Sequence, residues 1–136
     1  MANTNPVEIR PYTPADEGAL FTMLEEEGPE WGDYWSPTGR EKYKVALANS
    51  TSFLLFQGDT LCGFIRSRDD DGFGVYIYDL LVRPAKRGQN LGRALMEQVC
   101  AHFPGETVYV MSDVDAYYEK LGYTREGSIL IVRPGG

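Results

Sequence analysis

The segment that most constrains this chain is residues 74–103, which read as a strand, a basic glycine-bearing turn and an amphipathic helix. Gly74-Val75-Tyr76-Ile77-Tyr78-Asp79-Leu80-Leu81-Val82 is a strand-like run halted by Pro84. Leu91, Ala94, Leu95, Val99 and Phe103 then share one helical face. Between them lie Arg83, Lys86, Arg87 and Arg93, a local reversal of sign in a chain of net charge −7. The first turn of a helix leaves backbone N–H groups unpaired, and the dipole is positive there, so the junction suits a phosphate. Gly88 and Gly92 let the backbone approach such a group without a Cβ, and Asn90 adopts positive φ more readily than most residues. A solvated basic loop is the alternative reading of the same residues. No Gly-Lys-Ser/Thr follows, which excludes a Walker A loop, and no Gly-x-Gly-x-x-Gly run exists for a dinucleotide turn.

The flanking sequence predicts one domain over residues 1–136 with a mixed α/β sheet. Alternation gives a strand at 7–10. Ala19, Leu20, Met23 and Leu24 give a helix from Asp16 that Gly28-Pro29 stops. Residues 30–39 read as a loop rich in aromatics, and a second helix is expected over 40–48. Residues 52–56 and 61–65 form a hairpin across Gly58-Asp59, and Asp69-Asp70-Asp71-Gly72 is an exposed turn. Strand 107–111 precedes a short helix at 116–121, with Ser112 and Asp115 as capping candidates and Gly122 as its left-handed stop. Tyr123 and Ile129-Leu130-Ile131-Val132 supply one or two final strands.

Composition excludes several functions. No apolar run approaches bilayer length, and Met1-Ala2-Asn3-Thr4-Asn5-Pro6 lacks a signal-peptide plan, so no membrane partner and a cytoplasmic location are expected. An acidic chain is a poor nucleic-acid binder. Cys62 and Cys100 lack metal-ligand spacing and read as buried thiols, and His102 is the sole histidine, so neither a metal site nor a histidine-based triad is expected.

Two blocks carry a resemblance. Leu80-Leu81-Val82-Arg83-Pro84, then Arg87-Gly88-Gln89-Asn90-Leu91-Gly92 and Arg93, resembles the acetyl-CoA turn of GCN5-related N-acetyltransferases, the GNAT superfamily. Ala116-Tyr117-Tyr118-Glu119-Lys120-Leu121-Gly122-Tyr123 resembles that family's Ala-x-Phe-Tyr-Glu-Lys-Leu-Gly-Phe block. Asn90 departs from the family glycine at its position. The resemblance implies an α/β fold with a mixed, mostly antiparallel sheet of six to seven strands flanked by about four helices.

It also implies an acetyl-CoA-dependent N-acetyltransferase that acts on a small primary amine. An acyl-CoA sensor or a peptide-amine acetyltransferase is the alternative, and a transferase of aminoacyl-tRNA is disfavoured by the charge. The cofactor would lie along Leu80, Leu81, Val82 and Arg83 and on Arg87, Gly88, Gln89, Asn90, Leu91, Gly92 and Arg93. Tyr118 matches the tyrosine that protonates the departing sulfur, and Tyr117 is expected in the core. For the base, Asp79 is the choice, with Asp113 and Asp115 as alternatives. Period-two alternation turns Asp79 and Tyr76 to opposite faces. Glu30, Trp31, Tyr34 and Trp35 would wall the acceptor site, because aromatic rings and carboxylates suit an ammonium group. Glu25-Glu26-Glu27 reads as a solvated helix end. A monomer or a homodimer fits equally well.

Overall fold

The computed structural model describes residues 6–112 and 114–135. Five strands lie in the order β1-β2-β3-β4-β5: Val7–Pro11, Thr51–Gln57, Thr60–Asp69, Val75–Val82 and Val108–Val110. The first four are antiparallel and β5 runs parallel to β4. The β2–β3 hairpin turns through Gly58 at φ 62°, and β3–β4 turns through Asp71 and Gly72 at φ 50° and 97°, as the polar turns predict.

The two faces of the sheet carry separate cores. Helix α1 (Glu17–Glu27), the one-turn α2 (Gly32–Trp35) and α3 (Pro37–Ala48) cover one face. There Leu20, Phe21, Met23 and Leu24 pack on Leu54, Phe64 and Leu81. Helix α4 (Leu91–His102) and the short α5 (Asp115–Lys120) lie on the other. Leu91, Leu95, Met96 and Val99 pack on Leu55, Ile65, Val75 and Ile77 there. Cys62 is sealed in this second core, whereas Cys100 is exposed on α4, so only one of the two thiols is buried.

Three expectations change. The segment 30–39 is not a loop: a 3₁₀ turn at Pro29–Trp31 leads into α2. Helix α3 begins at Pro37, because Ser36 caps it by accepting the Gly39 amide at 3.2 Å and Pro37 suits the first helical position. Among the described residues the final strands are absent, which leaves five strands rather than six or seven. Ile129, Leu130, Ile131 and Val132 are 65–92% exposed and irregular. Their β-propensity favours a strand only where a neighbouring edge takes up the hydrogen bonds, and this segment joins none.

A glycine fixes α2 against α3. A Cβ on Gly39 would lie 2.0 Å from the Asp33 carbonyl oxygen and 2.8 Å from Ser36 Oγ. We expect Gly39→Ala to destabilise the chain by more than about 2 kcal/mol, from overpacking against backbone, and thermal denaturation reads it. Gly88→Ala is the comparison, since nothing stands within 4 Å of that Cβ position and only its φ of 83° opposes the change.

Candidate active site

The site begins with an extra residue in β4. Arg66 pairs with Asp79 and Ser67 with Ile77, so Tyr78 has no partner on β3. This bulge interrupts the alternation. Val75 and Ile77 face the α4 core, but past the bulge Leu81 faces the α1–α3 core. Asp79 faces that way too, with Tyr43 of α3 bonded to it. Tyr76, across from Arg68, lies on the same side, so the expected opposition of Asp79 and Tyr76 is overturned.

Asp79 is 5% exposed. Its Oδ2 accepts bonds from Arg66 Nε at 2.5 Å and from the Tyr43 hydroxyl at 2.7 Å. Arg66 lies 5.5 Å from the centre of the Tyr43 ring and 5.3 Å from that of Tyr78. Burial, and then the Asp79 charge, push the Tyr34 hydroxyl up to about 12 and raise Tyr43 as well. Both phenols therefore stay protonated near neutral pH and accept no proton from an amine.

The second element is a parting of strands. Val75, Tyr76 and Ile77 pair with Val108, Tyr109 and Val110, and the Met111 amide closes on the Ile77 carbonyl at 2.9 Å. Past that bond β4 has no sheet partner on its β5 side among the described residues. A cavity of about 370 Å³ opens beside the parting. Glu30, Trp31 and Tyr34 line it together with Asp79 and Leu80 of β4 and with Met111 and Tyr118. The expected acid, the expected carboxylate and three of the four expected acceptor residues thus meet in one pocket. Trp35 stands apart. Its indole N–H donates to the Gly28 carbonyl at 3.0 Å and its ring packs on the core beneath, so it pins the segment instead of facing the pocket. Ile129 reaches the pocket, which the sequence did not reveal. Of the alternative bases, Asp113 lies outside the described residues. Asp115 accepts from Ser112 Oγ at 2.6 Å and pairs with Arg125, and neither Ser112 nor Asp115 caps α5.

The third element is the turn. Asn90 adopts the left-handed conformation at φ 60° and Gly88 lies at φ 83°. The first bond of α4 runs from the Ala94 amide to the Asn90 carbonyl at 3.1 Å, and no side chain caps the helix. The amides of Leu91, Gly92 and Arg93 therefore precede the ladder and lie uncapped. The basic side chains, by contrast, are committed within the protein. Arg83 pairs with Glu26, Arg87 with Glu27 at 2.8 Å, Arg93 with Glu97 at 3.1 Å, and Lys86 donates to Gln57 at 3.0 Å. The end of α1 is thus a clasp on the turn through Glu26 and Glu27, although Glu25 and Glu26 are exposed, as a solvated helix end predicts. Tyr117 is not in the core: it is 41% exposed, and its hydroxyl lies 2.6 Å from where a Gly92 Cβ would stand. Gly92 is needed there because a phenol occupies the space. Among the described residues no cluster of His, Cys, Asp and Glu could hold a metal, and no helix is long and apolar enough to cross a membrane.

Three comparisons bear on this arrangement. The profile of the Acetyltransferase (GNAT) family matches residues 19–123. An uncharacterized N-acetyltransferase, ycf52, of Pyropia yezoensis is 30% identical over 102 residues, covering 68% of this chain and 59% of that protein. The chain thus spans about three-fifths of the length of this relative and of the ycf52 protein of Porphyra purpurea. Among solved structures, the GNAT protein SP0256 of Streptococcus pneumoniae TIGR4 superposes with a TM-score of 0.69 at 23% identity, over 94% of this chain and 98% of that one. The aminoglycoside N-acetyltransferase AAC(6')-Iy, in complex with CoA, superposes with a TM-score of 0.76 at 12% identity, over 100% and 99%. At these identities the two structures speak for the fold alone.

The Arg66–Asp79 pair supplies a test of this geometry. Removing one partner of a buried pair leaves a lone charge, and we expect Arg66→Met to cost about 3–5 kcal/mol by thermal or urea denaturation. Adding Asp79→Leu should recover much of that loss, because no buried charge then remains.

Proposed function

The chain belongs to the GNAT acetyltransferase family, and from that premise we propose that it moves an acetyl group from acetyl-CoA to the primary amine of a small molecule. The observation that carries the proposal is the juxtaposition of an uncapped α4 N-terminus with a parted β4–β5 seam and a pocket holding Tyr118. When bound, acetyl-CoA supplies an activated acetyl group on a thiol that is a good leaving group.

The residues fit that group. Amides 91–93 and the left-handed Asn90 form an anion cradle in which main-chain dipoles, not side-chain cations, hold a diphosphate. Gln89 and Gly88 complete the turn, while Arg83 and Arg87 act through the clasp that holds its shape, and Arg93 pairs with Glu97 along α4. The open edge of Leu80, Leu81, Val82 and Arg83 offers main-chain groups for an extended amide-bearing arm. A backbone N–H near Leu81 would polarise the acyl oxygen.

Tyr118 lines the pocket, and its phenol can hand a proton to a departing thiolate. Glu30 makes no ion pair among the described residues and lines the acceptor cavity, so its charge draws an ammonium toward Trp31 and Tyr34. Asp79 is a positioning residue on this reading. It lines the pocket while its Oδ2 holds Tyr43 and Arg66 behind it, which is a different task from the base expected of it. The amine releases its proton to water at the pocket mouth.

Three measurements test the proposal. Acetyl-CoA at a hundred times its Kd should raise stability by about 2.7 kcal/mol in a thermal shift. Free-thiol release over a panel of amines should report turnover, and a shift without release on any amine would favour a binding module. Tyr118→Phe should lower kcat by about a hundredfold with little change in the KM for acetyl-CoA. A raised KM with kcat intact would remove the acid role.

A further inference from the structure

A second hollow of about 450 Å³ lies beside the pocket and shares Tyr78 with it. It opens over the part of the sheet that α1–α3 leave uncovered. Its floor is aromatic: Tyr78 is 41% exposed, and Tyr76 lies stacked on Tyr109 at 5.1 Å with an interplanar angle of 20°. Its cations differ in state. Arg66 is neutralised by Asp79. Arg68, one pleat further along β3 and directly across from Tyr76, makes no ion pair or hydrogen bond among the described residues.

Asp69 and Asp70 also border the hollow, so the sign of its ligand must be argued. Asp69 is the register partner of Val75, which is buried in the α4 core, so its side chain belongs to the opposite face. Asp70 lies past the end of β3, in the exposed turn that joins it to β4. Of the three, Arg68 is the one that the strand register sets on the same face as Tyr76.

We propose that this hollow holds the far end of the acceptor, that this end carries a carboxylate, and that Arg68 reads it. The assignment rests on the transferase reading and narrows it: the amine end enters between Glu30, Trp31 and Tyr118, the chain crosses Tyr78, and the carboxylate meets a planar guanidinium able to bind it through two parallel bonds. Amino-acid-like acceptors therefore outrank diamines, although the net charge of −7 alone would favour the latter.

The test is free-thiol release by the full chain with acetyl-CoA and straight-chain primary amines of matched length ending in methyl, ammonium or carboxylate. We expect kcat/KM for the carboxylate series to exceed that for the methyl series by about tenfold, the scale of a charge-assisted hydrogen bond. Arg68→Gln should collapse that ratio through the acceptor KM, and Arg68→Glu should turn the preference toward ammonium ends. Arg68 is exposed, so neither variant should alter the melting temperature. A wild-type preference for ammonium ends, or a carboxylate preference that survives Arg68→Gln, overturns the assignment. Turnover without preference overturns the assignment alone, and no turnover with any series overturns the transferase reading as well.

Discussion

A carboxylate far from water persists as a charge only if something opposite and close compensates it. Asp79 meets that condition through Arg66 and Tyr43, and the site is organised around this contact. It exists because the extra residue Tyr78 turns Asp79 toward α3. Without the bulge, strict alternation would set Asp79 among the apolar residues of the α4 core, beside Leu91 and Leu95. The same bulge turns Tyr78 outward, where it floors both the pocket and the hollow beside it. One inserted residue therefore fixes a buried ion pair, the orientation of two phenols and the shape of the pocket.

The proposed cofactor side follows another logic. Its cations are numerous, yet each is tied to a partner in the protein, three of them to glutamates. What is left for a ligand is main chain: amides ahead of the α4 ladder, presented by a left-handed Asn90. Such dipoles are fixed by the fold and need no reorganisation when an anion arrives. Arg83 and Arg87 act one step back, by holding the turn against α1.

How much of this could be read from residues depends on the reach of each cause. The turn was legible because its requirements are local: positive φ at 88 and 90 and a helix beginning at 91 select few residue types. The pocket was legible in part, because Glu30, Trp31, Tyr34, Asp79 and Tyr118 carry recognisable chemistry and do meet. Trp35 was not separable from Trp31, since which indole faces inward is decided by a bond to Gly28 across α2. The bulge escaped because period two presumes equal residue counts on paired strands, which only the register shows. The Glu26 and Glu27 clasp joins residues about 57–60 positions apart, beyond any local pattern. The run 129–132 misled for the opposite reason: its propensity is strong, but a strand is a property of two edges.

The close seating of Gly39 on the Asp33 carbonyl has a consequence for how such a chain can diverge. The backbone that carries Tyr34 is registered against α3 by a contact that admits no side chain. On the proposed function, a change of acceptor then comes from the identities of residues 30, 31 and 34 on that held frame rather than from moving it.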